Sequence, residues 1–162
     1  MSSTKEFIQV YTDGAYSHSQ DRGGFGAVIF VHRKGKNISK SYASEVAYSN
    51  TTSPRMEIRA ILASLRVINV GSNVDLYSDS SYCVKTLNKL LSNRKSHINA
   101  NRELWLEVLG LLKKHTKGGS KFQFSWVRAH AGNPYNEMAD QLANNGKMKD
   151  KVVDCKKQKE SR

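Results

Sequence analysis

The chain has 162 residues, 38% hydrophobic and 25% charged, which suits one globular domain with room for a packed core. No apolar run is long enough to cross a bilayer, the start MSSTKEFIQV has no apolar signal core, and two cysteines, Cys83 and Cys155, are too few for a disulfide framework or a zinc site. A reduced, intracellular, cytoplasmic protein with no membrane partner is expected, and the balance of 26 Lys and Arg against 14 Asp and Glu, formally +12, favours a polyanionic partner such as nucleic acid.

FIQVYT (7–12) alternates and is β-rich, so it reads as a first strand, ending on Asp13-Gly14. GGFGAVIFVH (23–32) follows as a second strand, and a Lys34-Gly35-Lys36 turn leads into a third over 37–47. From Ser53 the period becomes helical: Ile58, Ile61, Leu62, Leu65 and Ile68 form one stripe, and Ser53-Pro54 marks the start. NVDLYS (73–78) is a fourth strand that runs into Asp79, and residues 80–91 form a helix. A polar, basic stretch, SNRKSHINANR (92–102), precedes a helix over 103–115 that Gly118-Gly119 breaks. KFQFSWV (121–127) alternates as a fifth strand. The last helix, 133–146, has Asn133 as cap, Pro134 in its first turn and Gly146 at its exit. The order βββαβααβα predicts an α/β fold, a mixed sheet with helices on its faces. Residues 1–147 read as one domain, and 148–162 as a basic, disordered tail.

Four acids stand at notable places. Asp13-Gly14 is also a common turn signal, Asp79 before Ser80-Ser81 suits a helix cap, and Glu57 and Asp140 lie where acids stabilise a helix dipole. Yet Glu57 falls beside Ile61, on the flank of the apolar stripe rather than opposite it. In an open sheet with crossover helices, strand ends and helix starts converge at one edge, so the four could cluster. A bare cluster would repel itself and raise its own pKa values; hard cations such as Mg²⁺ or Mn²⁺ relieve that. Two such ions about 4 Å apart suit phosphodiester hydrolysis.

The segments YTDGAY…GGFGAVIF, TTSPRMEIRAILASL, LYSDSSYCV and WVRAHAGNPYNEMADQLA together resemble the type 1 ribonuclease H family, over about residues 7–146. The resemblance implies the ribonuclease H-like fold: a five-stranded mixed sheet, its first three strands antiparallel, with helices on both faces. It implies a metal-dependent endonuclease that cuts the RNA strand of an RNA/DNA hybrid and leaves 3′-hydroxyl and 5′-phosphate ends. Asp13, Glu57, Asp79 and Asp140 match the family's metal-binding carboxylates, for two Mg²⁺ ions with Mn²⁺ as a substitute. His130 matches a mobile-loop histidine that assists turnover, and Asn136 a loop asparagine near the substrate. Thr52 and Asn101 match members of a pocket for a DNA-strand phosphate; Gly14, Ser53, Arg55 and Ser81 complete the expected substrate contacts.

Departures from the family pattern bear on grip. Ser53 and Pro54 stand where many members have two asparagines, Ser81 where a glutamine is usual, and Asn50 in place of a phosphate-pocket arginine. The basic stretch keeps Arg94, Lys95 and Arg102 without the tryptophans of well-studied members. Gly24 and Gly26 read as a tight turn with a bulge, Trp105 and Trp126 as core, and Cys83 as a small buried hydrophobe. A monomer is expected. Two other readings stay open: a non-catalytic hybrid- or duplex-binding module, and a DNA-directed nuclease of the same fold.

Overall fold

The computed structural model describes residues 5–92 and 98–156. Alternating apolar residues build a long antiparallel hairpin from β1 (Phe7–Ser17) and β2 (Arg22–Arg33), in register from Phe7 opposite His32 to Ser17 opposite Arg22. Gly35, at φ +74°, makes the tight turn that sends β3 (Lys36–Ala43) back along β2. The expected third strand then breaks: β4 (Ala47–Ser49) meets β2 only at Gly23 and Tyr48. Ser44 pins that corner, its N–H donating to the Phe25 carbonyl (2.8 Å) and its hydroxyl accepting from the Phe25 N–H (3.3 Å). β5 (Asn73–Ser78) joins β1 in parallel, and β6 (Lys121–Trp126) joins β5 in parallel.

A seventh strand corrects the reading of the tail. β7 (Val152–Asp154) pairs in parallel with β4, so the sheet runs β6-β5-β1-β2-β4-β7, with β3 also on β2. The segment leading to it is anchored, because Arg22 donates from Nε to the Lys147 carbonyl (2.9 Å) and from Nη2 to that of Lys149. Lysines outnumber the Val152-Val153 pair in this stretch, and only the open edge of β4 gives that pair a partner. Residues 157–162 of the expected tail lie outside the described residues.

α1 (Ser53–Val67), α2 (Ser81–Leu91) and α3 (Arg102–Lys117) bury one face of the sheet, and α4 (Pro134–Lys147) covers the other. The five predicted stripe residues of α1 are all buried, with Ile8, Val10, Leu76, Leu87 and Trp105. Tyr11, Val28 and Ala139 form a smaller core under α4, where Tyr11 stacks on Tyr77 at 4.6 Å. Gly24 and Gly26 sit inside β2 rather than in a turn, and their missing side chains let α4 lie close. A Cβ on Gly24 would fall 2.1 Å from the Lys147 nitrogen, and one on Gly26 2.6 Å from the Ala139 carbonyl oxygen. Among the described residues, no helix is long and apolar enough to cross a membrane.

Candidate active site

The parallel register of β1 and β5 ends at Thr12 opposite Ser78. Asp13 and Asp79 are the next residues out on each strand, so the two carboxylates are neighbours where β5 stops and β1 runs on with β2 alone. Glu57 arrives from α1, whose backbone crosses β1 at Gly14. A Cβ there would fall 2.3 Å from the Glu57 nitrogen, so only glycine allows that approach. Oxygens of Asp13, Glu57 and Asp79 consequently lie within 4.8 Å of one another. Asp140, half-buried on α4, stands outside this trio, but its charge pushes up the pKa of both Asp13 and Asp79.

The electrostatics of the trio are those of a site short of positive charge. Asp13 is 5% exposed, and burial, then the charges of Asp79 and Glu57, push its pKa up to about 9. The Gly14 N–H, donating to Asp13 Oδ1 at 2.9 Å, opposes this without cancelling it. Burial likewise raises Glu57 to about 7 against a hydrogen bond from Ser80. Asp79 is raised by burial, against a side-chain hydrogen bond from Asn136 and the charge of His130. Three hard oxygen donors from three elements, each resisting ionisation for want of a counter-charge, fit a divalent cation of the Mg²⁺ type.

Neighbouring residues hold the trio in place. Ser80 caps α2, its hydroxyl accepting from the Cys83 N–H at 3.2 Å, so Asp79 itself is left out of the cap. Asn133 caps α4 by accepting from the N–H groups of Tyr135 and Asn136 (3.0 and 3.1 Å). That turn buries Asn136 against Asp79; it is a helix residue rather than a loop residue. Trp126, expected in the core, is 51% exposed and donates from Nε1 to the Asp79 carbonyl at 3.0 Å. Its apolar-periodic segment pointed to the core, but it is the last residue of β6, beside the site. Trp105 and Cys83 are fully buried, and burial pushes the Cys83 thiol up to about 12. His130 is exposed on the loop between β6 and α4, in the left-handed region at φ +55°.

The expected substrate contacts form a second group along the start of α1. Thr52 is the N-cap, accepting from the Arg55 N–H at 3.3 Å, and Ser53 is the exposed first residue. Arg55 donates from Nη1 to Asn101 Oδ1 (3.2 Å) and pairs with Glu103 (2.6 Å). Asn101, at φ +56°, donates to the Tyr82 hydroxyl, which also receives the Trp105 indole N–H (3.1 and 2.8 Å). The sequence reading missed Tyr82 and Glu103, which no local pattern singles out. Ser81 is the exposed first residue of α2, apart from this network. Arg94 and Lys95 lie outside the described residues; Arg102 donates to the Ile98 carbonyl at 2.7 Å.

Comparison with known proteins bears directly on this geometry: the family model for RNase H matches residues 5–148. The chain belongs to the ribonuclease H family. The ribonuclease H of Trichodesmium erythraeum is 35% identical over 152 residues, 88% of this chain and 90% of that protein. That of Orientia tsutsugamushi is 36% identical over 149 residues, 87% and 82% of the two chains. The crystal structure of LC9-RNase H1, a type 1 RNase H with the type 2 active-site motif, shares the fold. It superposes with a TM-score of 0.73 at 22% identity, over 91% of this chain and 74% of that one. As a ribonuclease H, the chain is a nucleic-acid-binding hydrolase, and the Asp13–Glu57–Asp79 trio is its possible metal site.

Proposed function

We propose that this ribonuclease H cuts the RNA strand of RNA/DNA hybrids internally, leaving 3′-hydroxyl and 5′-phosphate ends. In this reading residues 1–147 carry the catalytic unit. The observation that carries the reading is the trio of carboxylates within 4.8 Å of one another, Asp13 buried and Glu57 and Asp79 partly so, with burial and mutual repulsion raising their pKa values. Asp13, Glu57 and Asp79 would hold one Mg²⁺, and Asp13 with Asp140 a second; Mn²⁺ has the same hard-oxygen preference. Bound there, such ions supply Lewis acidity, activating a water and offsetting charge on the phosphate oxygens.

The chain's own residues account for the rest. Asn136 and the Trp126 indole hold Asp79, one at its side chain and the other at its backbone, which limits its movement as the local charge changes. Ser80 does the same for Glu57. His130, exposed on its loop and acting on Asp79 through its charge, would take up or deliver a proton at the reacting phosphate. Thr52, Ser53, Arg55, Ser81 and Asn101 offer donors along the starts of α1, α2 and α3 to sugar and phosphate oxygens, which position a duplex without reading its sequence. Gly14 serves by letting α1 approach. RNA would be distinguished by its 2′-hydroxyls across a shallow minor groove.

A binding module would gain nothing from four acids facing phosphates, since they cost affinity. The deciding assay is cleavage of end-labelled RNA/DNA and DNA/DNA duplexes in Mg²⁺ by the wild type and Asp79→Asn. Cutting of the hybrid's RNA strand alone, lost in the variant, is expected. Hybrid binding without cutting in Mg²⁺ or Mn²⁺ would overturn the catalytic reading, and cutting of DNA/DNA would move the protein to the DNA-directed class.

A further inference from the structure

Tyr11 and Tyr77 are partners across the parallel pair of β1 and β5, each two residues before an acid of the trio, Asp13 and Asp79. The two-residue period of a strand turns both rings to the side that α4 covers. They stack at 4.6 Å with their planes 12° apart. From the first turn of α4, Tyr135 lays its ring over Tyr11 (5.4 Å) and meets Phe30 edge-on (4.7 Å, planes at 63°). Asn133, which caps α4, is also a side-chain hydrogen-bond partner of the Tyr11 hydroxyl. One aromatic layer thus joins the strands that carry the paired aspartates to the start of the helix that carries Asp140.

The rest of α4 does less to fix its place. It lies on β2 through Gly24, Gly26, Ala139 and Ala143, and small residues allow a close approach but interlock little along the helix axis. Electrostatics work against the docking, because the charge of Asp140 opposes ionisation of Asp13 and Asp79 and so repels them once they are charged. A ring that meets two others at the first turn resists both sliding and lift-off, since each aromatic pair adds about two- to tenfold to an equilibrium. Tyr135 remains 42% exposed, so its contribution lies in these ring contacts more than in core volume. Asp140 follows it by five residues, about 7.5 Å along a rigid helix, and the loop that bears His130 enters α4 at Asn133.

We propose that Tyr135, resting on the Tyr11–Tyr77 pair, is a positioning residue for the reaction: it fixes the first turn of α4 so that Asp140 and His130 face the carboxylates at the strand ends. This rests on the nuclease reading above. Thr52, Ser53, Arg55, Ser81 and Asn101, the proposed substrate donors, stand at the starts of the helices on the other face of the sheet. The stack therefore acts on the chemical step and on metal binding, and leaves the grip on the duplex to those residues.

The test compares the wild type with Tyr135→Ala, Tyr135→Leu and Tyr135→Phe as full chains, by thermal unfolding across a Mg²⁺ titration and by kcat and KM on a labelled RNA/DNA hybrid. Tyr135→Ala should lower kcat about ten- to a hundredfold, the cost of a displacement of about 1 Å in the reacting geometry, with KM within about twofold of the wild type. The Mg²⁺ concentration that gives half of the rise in Tm should increase about tenfold, as two aromatic pairs are lost. Tyr135→Leu keeps apolar volume without the ring and should show the same split with a smaller loss of Tm. Tyr135→Phe keeps the ring and should match the wild type throughout. Phe7→Ala removes a ring of similar exposure (38%), stacked on His32 at 5.5 Å and about 20 Å along β1 from Asp13; it should lower Tm without moving kcat or the Mg²⁺ midpoint. Ala and Leu variants that lose Tm but keep the wild-type kcat and Mg²⁺ midpoint would overturn this inference alone, leaving the stack as packing. So would a defect confined to KM, or a loss in Tyr135→Phe as large as in Tyr135→Ala, since the hydroxyl rather than the ring would then be at work. A wild type that does not cut the hybrid removes the nuclease reading and this inference with it.

Discussion

Replacing Asp13 with Asn should make the metal-free protein more stable, even as it removes a proposed metal ligand. The folded chain holds the Asp13 carboxyl at about 9 against an ordinary 3.8, chiefly by burial and then by the charges of Asp79 and Glu57. Between those two values the folded state binds a proton that the unfolded state has released. Stability therefore falls as pH rises through the window, by up to about 1.4 kcal/mol per pH unit for one such group. From pH 5 to 7 that amounts to about 3 kcal/mol. Repulsion alone is of this order: two charges within 4.8 Å of each other at an effective dielectric of 20 repel by about 3.5 kcal/mol or more. Asparagine is neutral in both states, and its Oδ1 can still accept the Gly14 N–H. Urea unfolding in chelator at pH 5, 6, 7 and 8 measures the effect. The variant should be the more stable at pH 7 by about 4 kcal/mol, with the gap narrowing to about 1–2 kcal/mol at pH 5. Saturating Mg²⁺ should stabilise the wild type and close the gap. A variant no more stable at pH 7, or a gap that ignores pH, would refute the argument that this site is electrostatically strained without a cation.

Three further outcomes follow from the same geometry. Glu57→Gln should lower hybrid cleavage by about a thousandfold or more, because loss of a ligand to a Lewis-acid site forfeits several kcal/mol of transition-state stabilisation; single-turnover kinetics measure it. Gly26→Ala would drive a Cβ into the backbone of α4 at Ala139 and Ala143, costing about 1–3 kcal/mol in urea unfolding and weakening Mg²⁺ binding by moving Asp140. Trp126→Phe removes the N–H donated to the Asp79 carbonyl, a bond worth about 0.5–1.5 kcal/mol, so kcat should fall about three- to tenfold with Tm little changed, as the ring is half exposed.

Much of the molecule was legible along the chain because its signals are local. The apolar stripe Ile58–Ile61–Leu62–Leu65–Ile68, the alternation in β1 and the cap at Asn133 depend on residues a few positions apart. Periodicity and capping record them directly. The four acids stood out by position, each where a strand ends or a helix begins, and the motifs around them indicated the family. What adjacent elements do to one another left no such trace. Gly14, Gly24 and Gly26 resemble turn glycines until α1 and α4 are seen packed against them. Trp126 has the pattern of a core residue until β6 is seen to end beside Asp79. The Lys-rich composition of the tail concealed two valines whose only reason to be a strand is the free edge of β4, more than a hundred residues earlier. Sequence by itself determined the four helices, the main strands, their order and the family, because these follow from local propensity, residue type and motif. Tertiary structure alone decided which glycines carry helices, how strongly the carboxylates strain against one another, and that Tyr135 rests on the strands carrying Asp13 and Asp79. Each of these depends on distances between segments that no local pattern encodes.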